Sequence, residues 1–289
     1  MPEPLPDDAR DERVARAARL IRAADALVIA AGAGIGVDSG LPDFRGGQGF
    51  WTAYPALGRA GIGFTEIANP RAFAESAELA WGFYGHRLAL YRRTTPHAGF
   101  RLLRHWGLRM AQGCGVFTSN VDGQFQRAGF DPARIHECHG SIHHLQCTAL
   151  CSGAVWPAEG FVPEIDETRC VLDNAAPTCP RCGALARPNI LMFDDYDWVE
   201  RPSSLQSMRL EGWLHGLVRP LLIEIGAGTA IPSVRDFSRR LQAGRGARLI
   251  RINPDDATVA SDQDVALPLA ALPALRAIAD ALGADWQTR

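Results

Sequence analysis

Residues 26–46 read ALVIAAGAGIGVDSGLPDFRG. Ala26 to Ala31 is an unbroken apolar run of strand length with no polar alternation. A strand of that kind is buried on both faces, the habit of a parallel sheet covered by helices. It runs directly into Gly32-Ala33-Gly34-Ile35-Gly36. Glycines at a strand end let the backbone approach a phosphate closely and present its N–H groups as donors. The spacing G-x-G-x-G departs from the dinucleotide fingerprint G-x-G-x-x-G, and no acidic residue closes a second strand about 20 positions on. That disfavours an ordinary dehydrogenase. Taken alone, the glycine run also suits a plain tight turn from strand to helix.

The pattern repeats outward. Residues 11–24 carry Val14, Ala17, Leu20, Ile21 and Ala24 at helical spacing. A loop-rich stretch is expected from Gly32 to Asn69. Asn69 as N-cap and Pro70 in the first turn predict a helix running to about Arg93. Another starts at Thr95-Pro96. Gly115 to Ser119 predicts a second strand, ending at Asn120. After residue 188, strands are expected at Asn189–Phe193, Leu221–Ile225 and Ala247–Ile252, with helices over 203–217, 232–243 and 270–283. Strands alternating with helices imply a doubly wound, mostly parallel, Rossmann-like α/β sheet. Strands ending in small or polar residues put the ligand site at their carboxyl ends. No repeat or flexible linker is visible. A second, smaller domain is therefore interleaved: residues 1–45, 96–140 and 188–289 form the nucleotide-binding domain, 46–95 a helical part and 141–187 a metal-held module.

That module is read from its cysteines. Cys147-x-x-x-Cys151 and Cys179-x-x-Cys182 are two thiolate pairs with 27 residues between them. Each pair can bite one metal, and two pairs close a tetrahedron, so one structural zinc ion per chain is expected. Cys170, His143 and His144 lie close enough in sequence to compete as ligands. An odd total of 7 cysteines argues against a disulfide framework.

The bulk numbers exclude little. The 289 residues suffice for a large domain and a satellite. A net charge of −2 points to neither nucleic acid nor a membrane surface. No apolar run approaches the ~20 residues needed to span a bilayer. The start, MPEPLPDDARDER, lacks a basic region followed by an apolar one, so a cytoplasmic protein is expected. All 30 basic residues are arginine, a bias of the kind that coding composition produces. Nothing specifies an oligomeric state.

The run Gly32 to Gly46, with Asp43, Phe44 and Arg45 near its end, closely resembles the signature of the sirtuin family, G-A-G-x-S-x-x-S-G-I-P-D-F-R. Gly36 stands where the family usually has Ser, and Leu41 where it often has Ile. The resemblance continues in order. Thr118-Ser119-Asn120-Val121-Asp122 is similar to T-Q-N-I-D, and His139-Gly140-Ser141 to H-G-S. Gly226-Ala227-Gly228 occupies the place of G-T-S, and Ile252-Asn253-Pro254 that of an I-N run. The match spans about residues 26–255.

What the resemblance implies is an NAD-dependent protein-lysine deacylase. NAD would be a co-substrate, and an acyl-lysine protein or peptide the partner. The acyl oxygen attacks the ribose carbon as nicotinamide leaves, and a base then deprotonates a ribose hydroxyl. His139 is that base by its match to H-G-S, ahead of His136, His143 and His144; an imidazole with a pKa near ~6.5 suits the task. Asn120 and Asp122 would contact nicotinamide and its ribose. Phe44 would shield the reacting carbon, and Arg45 would place NAD with Asp43. Gly32, Ala33, Gly34 and Ser119 would line the cofactor site. Gly226, Ala227, Gly228 and Asn253 would hold the adenosine end; Ala227 and Gly228 lack the family's hydroxyls, so backbone or Thr229 must replace them. The first cysteine pair has one more intervening residue than usual.

Tyr84 and Arg87 sit three apart on a predicted helix, hence on one face, and match the Y-x-x-R of sirtuins that favour acidic acyl groups. A guanidinium fork suits a terminal carboxylate, as in succinyl- or malonyl-lysine. Phe193 ends the strand whose extension would pair with the substrate peptide. Asp194 replaces the family's Gly there and adds a negative charge. Two rival readings follow: ADP-ribosyl transfer or NAD hydrolysis on the same fold, and a non-catalytic zinc-ribbon module.

Overall fold

The computed structural model describes residues 7–43 and 46–287. Phe44 and Arg45 lie outside the described residues. The chain opens with α1 (Asp7–Ala23) and β1 (Ala26–Ala31), then a short 3-10 turn. There follow α2 (Gly46–Ala53), α3 (Pro55–Arg59), α4 (Phe64–Ile67), α5 (Pro70–Glu75), α6 (Ala77–Arg93) and α7 (Ala98–Arg109). Next are β2 (Cys114–Thr118), α8 (Gln124–Arg127), β3 (Ile135–Glu137), β4 (Gly140–Cys147), β5 (Val155–Pro157), β6 (Ile165–Asp166), β7 (Val171–Leu172) and β8 (Ala186–Ile190). The chain closes with α9 (Arg201–His215), β9 (Pro220–Ile225), α10 (Ser233–Arg245), β10 (Arg248–Ile252), β11 (Val265–Leu267) and α11 (Ala271–Leu282).

Six strands form one sheet in the order β11-β10-β9-β1-β2-β3. Every pairing in it is parallel, with Ile29 flanked by Val116 and Ile223. The chain winds one way from β1 through β3 and the other way from β9 through β11. The order reverses between β1 and β9, and there the doubly wound fold leaves a crevice at the carboxyl ends.

Period-two alternation sorts β1 between two cores. Leu27, Ile29 and Ala31 pack with α1, α7 and α11. Ala26, Val28 and Ala30 face α9 and α10. A third core gathers Phe50, Trp81, Tyr84 and Leu88 with Ile142 and Ala186, joining the helices of residues 46–93 to the small sheet.

Four expectations are corrected. The strand expected at Asn189–Phe193 lies at Ala186–Ile190 and pairs antiparallel with β4 in a three-stranded sheet, β5-β4-β8. Its polar residues disguised it: Arg187 is buried against Asp195 at 2.7 Å, and Asn189 donates to Gln146 Oε1 at 2.9 Å. The stretch expected as loop, 32–69, carries a 3-10 turn and α2 to α4. The single helix expected from Asn69 to Arg93 breaks at Ser76, whose Oγ accepts from Leu79 N at 3.2 Å and so caps α6. The helix expected from Thr95 starts at Ala98, because His97 takes the capping role with Nδ1 accepting from Gly99 N.

Candidate active site

The two glycine loops at the switch point are in contact. Gly32 N donates to Ile225 O at 3.0 Å, and Gly34 N to Gly226 O at 3.0 Å. A Cβ on Gly32 would lie 2.7 Å from Gly226 O. One on Gly226, whose φ is +64°, would lie 2.2 Å from Ile35 N. Neither position can carry a side chain, so the loops close into one backbone-lined cradle.

The end of β2 is tied to the same cradle. Thr118 Oγ1 donates to Ala31 O and accepts from Asn120 N, both at 3.0 Å. Asn120 Nδ2 donates to Gly32 O at 3.1 Å. Asp122 is buried and accepts from Gln124 N, the first residue of α8, at 2.9 Å. Burial pushes its carboxyl up to about 6, against the pull of the Gln124 N–H and the Arg87 charge.

His139 follows β3 and faces the cleft. Its Nε2 lies 3.1 Å from Ser233 Oγ on α10. Burial lowers its pKa, and a hydrogen bond to the Ser119 backbone works the other way. Two of the competing histidines are occupied elsewhere: His136 Nε2 meets Ser203 Oγ at 3.2 Å, and His143 Nε2 meets Asp122 O at 2.9 Å. Gly140, beside His139, has φ +77°, and a Cβ there would lie 2.1 Å from Asn189 O. Close strand pairing therefore requires this glycine.

The two glycine loops, Ser119, Asn120, Asp122 and His139 line one cavity of about 950 Å3. Its floor is Gly32 to Gly34, Ser119 and Asn120. One end is closed by Gly226 to Thr229, Asp255 and Asp256, the other by Tyr84, Arg87 and Tyr91. Asp43 and Phe193 line it as well.

Asn253 turns its side chain toward protein. Nδ2 donates to Ala227 O at 2.7 Å, and Oδ1 accepts from Asp255 N at 2.9 Å and Asp256 N at 3.2 Å. It lines the cavity and at the same time fixes the shape of the loop. Arg235 does the same from α10, donating to Ala227 O at 3.2 Å and Asp256 O at 2.7 Å. It faces the buried Glu224 at 3.2 Å. Its trace in the sequence was Glu224, an acid inside the apolar run of β9.

At the far end Arg87 is buried, with Nε and Nη2 donating to Tyr91 Oη at 3.0 and 2.8 Å. The rings of Phe83 and Tyr84 lie 5.2 and 5.9 Å from its guanidinium carbon. Tyr91, one helical turn after Arg87, is a third member of the cluster that spacing alone did not single out. Phe193 is held against the helical part: its N–H donates to Ala68 O at 2.9 Å and its ring meets Phe64 edge-on. The next residue, Asp194, has φ +52°, a left-handed backbone that explains the family's glycine.

The Sγ atoms of Cys147, Cys151, Cys179 and Cys182 all lie within 4.8 Å of one another. Two of the separations are 3.6 Å. A tetrahedron with Zn–S bonds of about 2.3 Å has edges of about 3.8 Å, so the four thiols fit zinc. Backbone N–H groups of Arg181 and Cys182 lower the Cys179 thiol, the direction that favours the thiolate zinc requires. Cys170 stands apart, packed in the third core with its carbonyl against Gly82. None of the four thiols lines the cavity.

A doubly wound sheet, a paired-glycine crevice with a histidine facing it and a separate thiolate cluster define a nucleotide-binding enzyme class with a structural metal module. The chain belongs to the Sir2 family, whose model matches residues 32–204. It is 29% identical over 279 residues to an NAD-dependent protein deacylase of Aeropyrum pernix, covering 95% of this chain and 99% of the relative. It is 31% identical to an NAD-dependent protein deacylase of Pyrococcus abyssi, covering 80% of this chain and 94% of that one. Its fold superposes on the crystal structure of a Sir2 homolog–NAD complex with a TM-score of 0.67, at 25% identity, covering 93% of this chain and 94% of the other. Among the described residues, no helix is long and apolar enough to cross a membrane.

Proposed function

We propose that this chain is an NAD-dependent protein-lysine deacylase that removes acyl groups from a protein or peptide. One observation carries the reading: a single cavity joins the glycine cradle, a cleft-facing histidine and a buried arginine. Relatives that share nearly the whole chain bear the name NAD-dependent protein deacylase.

Bound NAD would supply an electrophilic ribose carbon with nicotinamide as its leaving group. The rest is the work of side chains. Gly32, Ala33, Gly34 and the facing Gly226 to Gly228 present backbone to the phosphates and adenosine. Ser119, Asn120 and Asp122 hold the nicotinamide end, with Asp43 on the same cavity wall; the shielding and NAD-placing roles of Phe44 and Arg45 rest on the resemblance alone. His139 has the Ser119 backbone on one ring nitrogen, which leaves Nε2 to take the proton of a ribose hydroxyl. Lowered by burial, it is neutral, and so a base, at pH 7. Phe193 and Phe64 wall the lysine channel and keep water out. The four-cysteine zinc site is closed to substrate and serves the fold.

Arg87, steered by Tyr91 and flanked by Tyr84, supports an acidic acyl group such as succinyl or malonyl. ADP-ribosyl transfer and NAD hydrolysis are less well supported, since neither needs an arginine at the acyl end. A pure zinc-ribbon binder would not need the cavity. Four reduced thiols suit the cytoplasm. We divide the chain into 1–45, 96–140 and 188–289 for the NAD-binding part, 46–95 for the helical part and 141–187 for the zinc module.

The test is nicotinamide release from NAD by the zinc-loaded protein with acetyl-, succinyl- and malonyl-lysine peptides, against no peptide. Peptide-dependent release that vanishes in His139→Ala is expected, with the acidic acyl peptides ahead. Release that ignores the peptide would move the assignment to NAD hydrolysis.

A further inference from the structure

We propose that Ser233 is a positioning residue for His139. It holds the imidazole by Nε2 from the first turn of α10 and hands that atom to the substrate hydroxyl when the cleft fills. The inference rests on reading His139 as the base of the reaction.

The geometry has three parts. Ser233 Oγ lies 3.1 Å from His139 Nε2. The Ser119 backbone opposes the lowering of His139 by burial, and since Ser119 N–H already donates to Ala31 O at 3.1 Å, the group that acts on the imidazole is the Ser119 carbonyl, to which Nδ1 would donate. An imidazole that donates from Nδ1 carries its lone pair on Nε2, so the serine hydroxyl donates and Nε2 accepts. A base clamped on both nitrogens has a fixed tautomer and a fixed ring plane.

The clamp also ties His139 to the adenosine end of the cavity. Ser233 follows the second glycine loop by five residues, since that loop ends at Gly228. Thr229 to Ile231 line the cavity, and the adjoining Val234 and Arg235 are buried. A ligand seated at the adenosine end would lie against the segment that leads into Ser233.

The surroundings leave the histidine otherwise undisturbed. His136 on β3 is the titratable side chain that couples to it, and burial holds His136 down to about 4. Cys138, beside it, is pushed up to about 12 by burial and stays neutral. On α10, Arg235 faces Glu224 and Asp256, and Asp236 pairs with Arg239. A hydrogen bond donated to the neutral imidazole favours the neutral form. Removing it therefore moves the histidine upward.

The experiment uses full-length, zinc-loaded protein labelled with 15N-histidine. His139 is titrated by two-bond 1H–15N correlation, its resonance assigned with His139→Ala. In the wild type, Nδ1 carries the proton and the midpoint lies below the ordinary histidine value. In Ser233→Ala the midpoint rises by about half to one pH unit. The acid limb of kcat/KM for nicotinamide release rises with it, kcat falls about threefold or more, and KM for NAD changes little. Ser233→Thr, which keeps the hydroxyl, restores both. An unchanged tautomer and midpoint in Ser233→Ala overturns the proposal, and so does a shifted midpoint with kcat unchanged. Should wild-type protein fail to turn over NAD with any acyl peptide, the deacylase reading falls, and the titration still decides whether Ser233 sets the state of His139.

Discussion

Asp194 shows how one residue can matter through backbone and charge together. Its φ of +52° lies where glycine sits without cost and where aspartate is tolerated better than most residues. The side chain is exposed, with Oδ2 3.4 Å from Asn69 Nδ2. Asp194→Gly should therefore change stability by no more than about 1 kcal/mol in either direction. Its effect belongs to the peptide. Losing the carboxylate should raise KM for an acyl-lysine peptide with flanking arginines by roughly two- to fivefold at low salt. KM for an acidic peptide should fall. Both differences should close in ~1 M salt, where the screening length is about 3 Å. Salt-independent KM changes would mean that the backbone, not the charge, had been altered.

At the same scale, what could be read in the sequence depended on whether a residue carries its role alone. His139 stood out by its motif, and the structure puts it on the cavity. Ser233 and Tyr91 act through a partner, one of them 94 positions away, and no spacing rule links such pairs. Asn253 was legible as a cleft residue, but its hydrogen bonds to Ala227 and the Asp255 and Asp256 backbone depend on how two loops meet. Phe44 and Arg45 lie outside the described residues.

Among elements, the apolar central strands were legible and the short or polar ones were not. β1, β2 and β9 are runs buried on both faces, and composition marks such runs within a residue. β3 and β11 have three residues each, too few to show any period. The zinc module is the extreme case: β6 and β7 have two residues each, so the chain there needs another source of order. Four thiolates on one zinc ion provide it. Cys182→Ser should lower bound zinc from one equivalent toward none, measured by chelator release with a chromogenic indicator. Amide exchange should accelerate from Cys147 to Ala186, while β1 and β9 keep their protection. Unchanged exchange across that segment would show that the small sheet holds without the metal.

The whole molecule carries two opposed sets of buried titratable groups, and they set how its stability follows pH. Six histidines, His86, His97, His136, His139, His143 and His144, are lowered by burial. Their stabilisation is present above the unfolded value of ~6.5 and is lost as pH falls, because the unfolded chain takes up protons that the native one refuses. Asp122 and Glu137 are raised by burial, to about 6 and about 7. Their stabilisation is full below the unfolded carboxylate range and is lost as pH rises through those values. The two sets therefore pull in opposite directions as the pH falls below neutrality. Glu137 isolates the opposing term. It is buried, takes one hydrogen bond from Gln206 Nε2 at 3.2 Å, and leaves Oε1 without a partner. Glu137→Gln keeps the shape and removes the titration. Between pH 6 and pH 8 the variant should gain roughly 1 kcal/mol on the wild type, read from urea unfolding at both values. Zinc release and the histidines act equally on both proteins, so they cancel in that difference. A gap that stays constant from pH 6 to pH 8 would mean that Glu137 ionises outside this range and that the burial of β3 does not hold its proton.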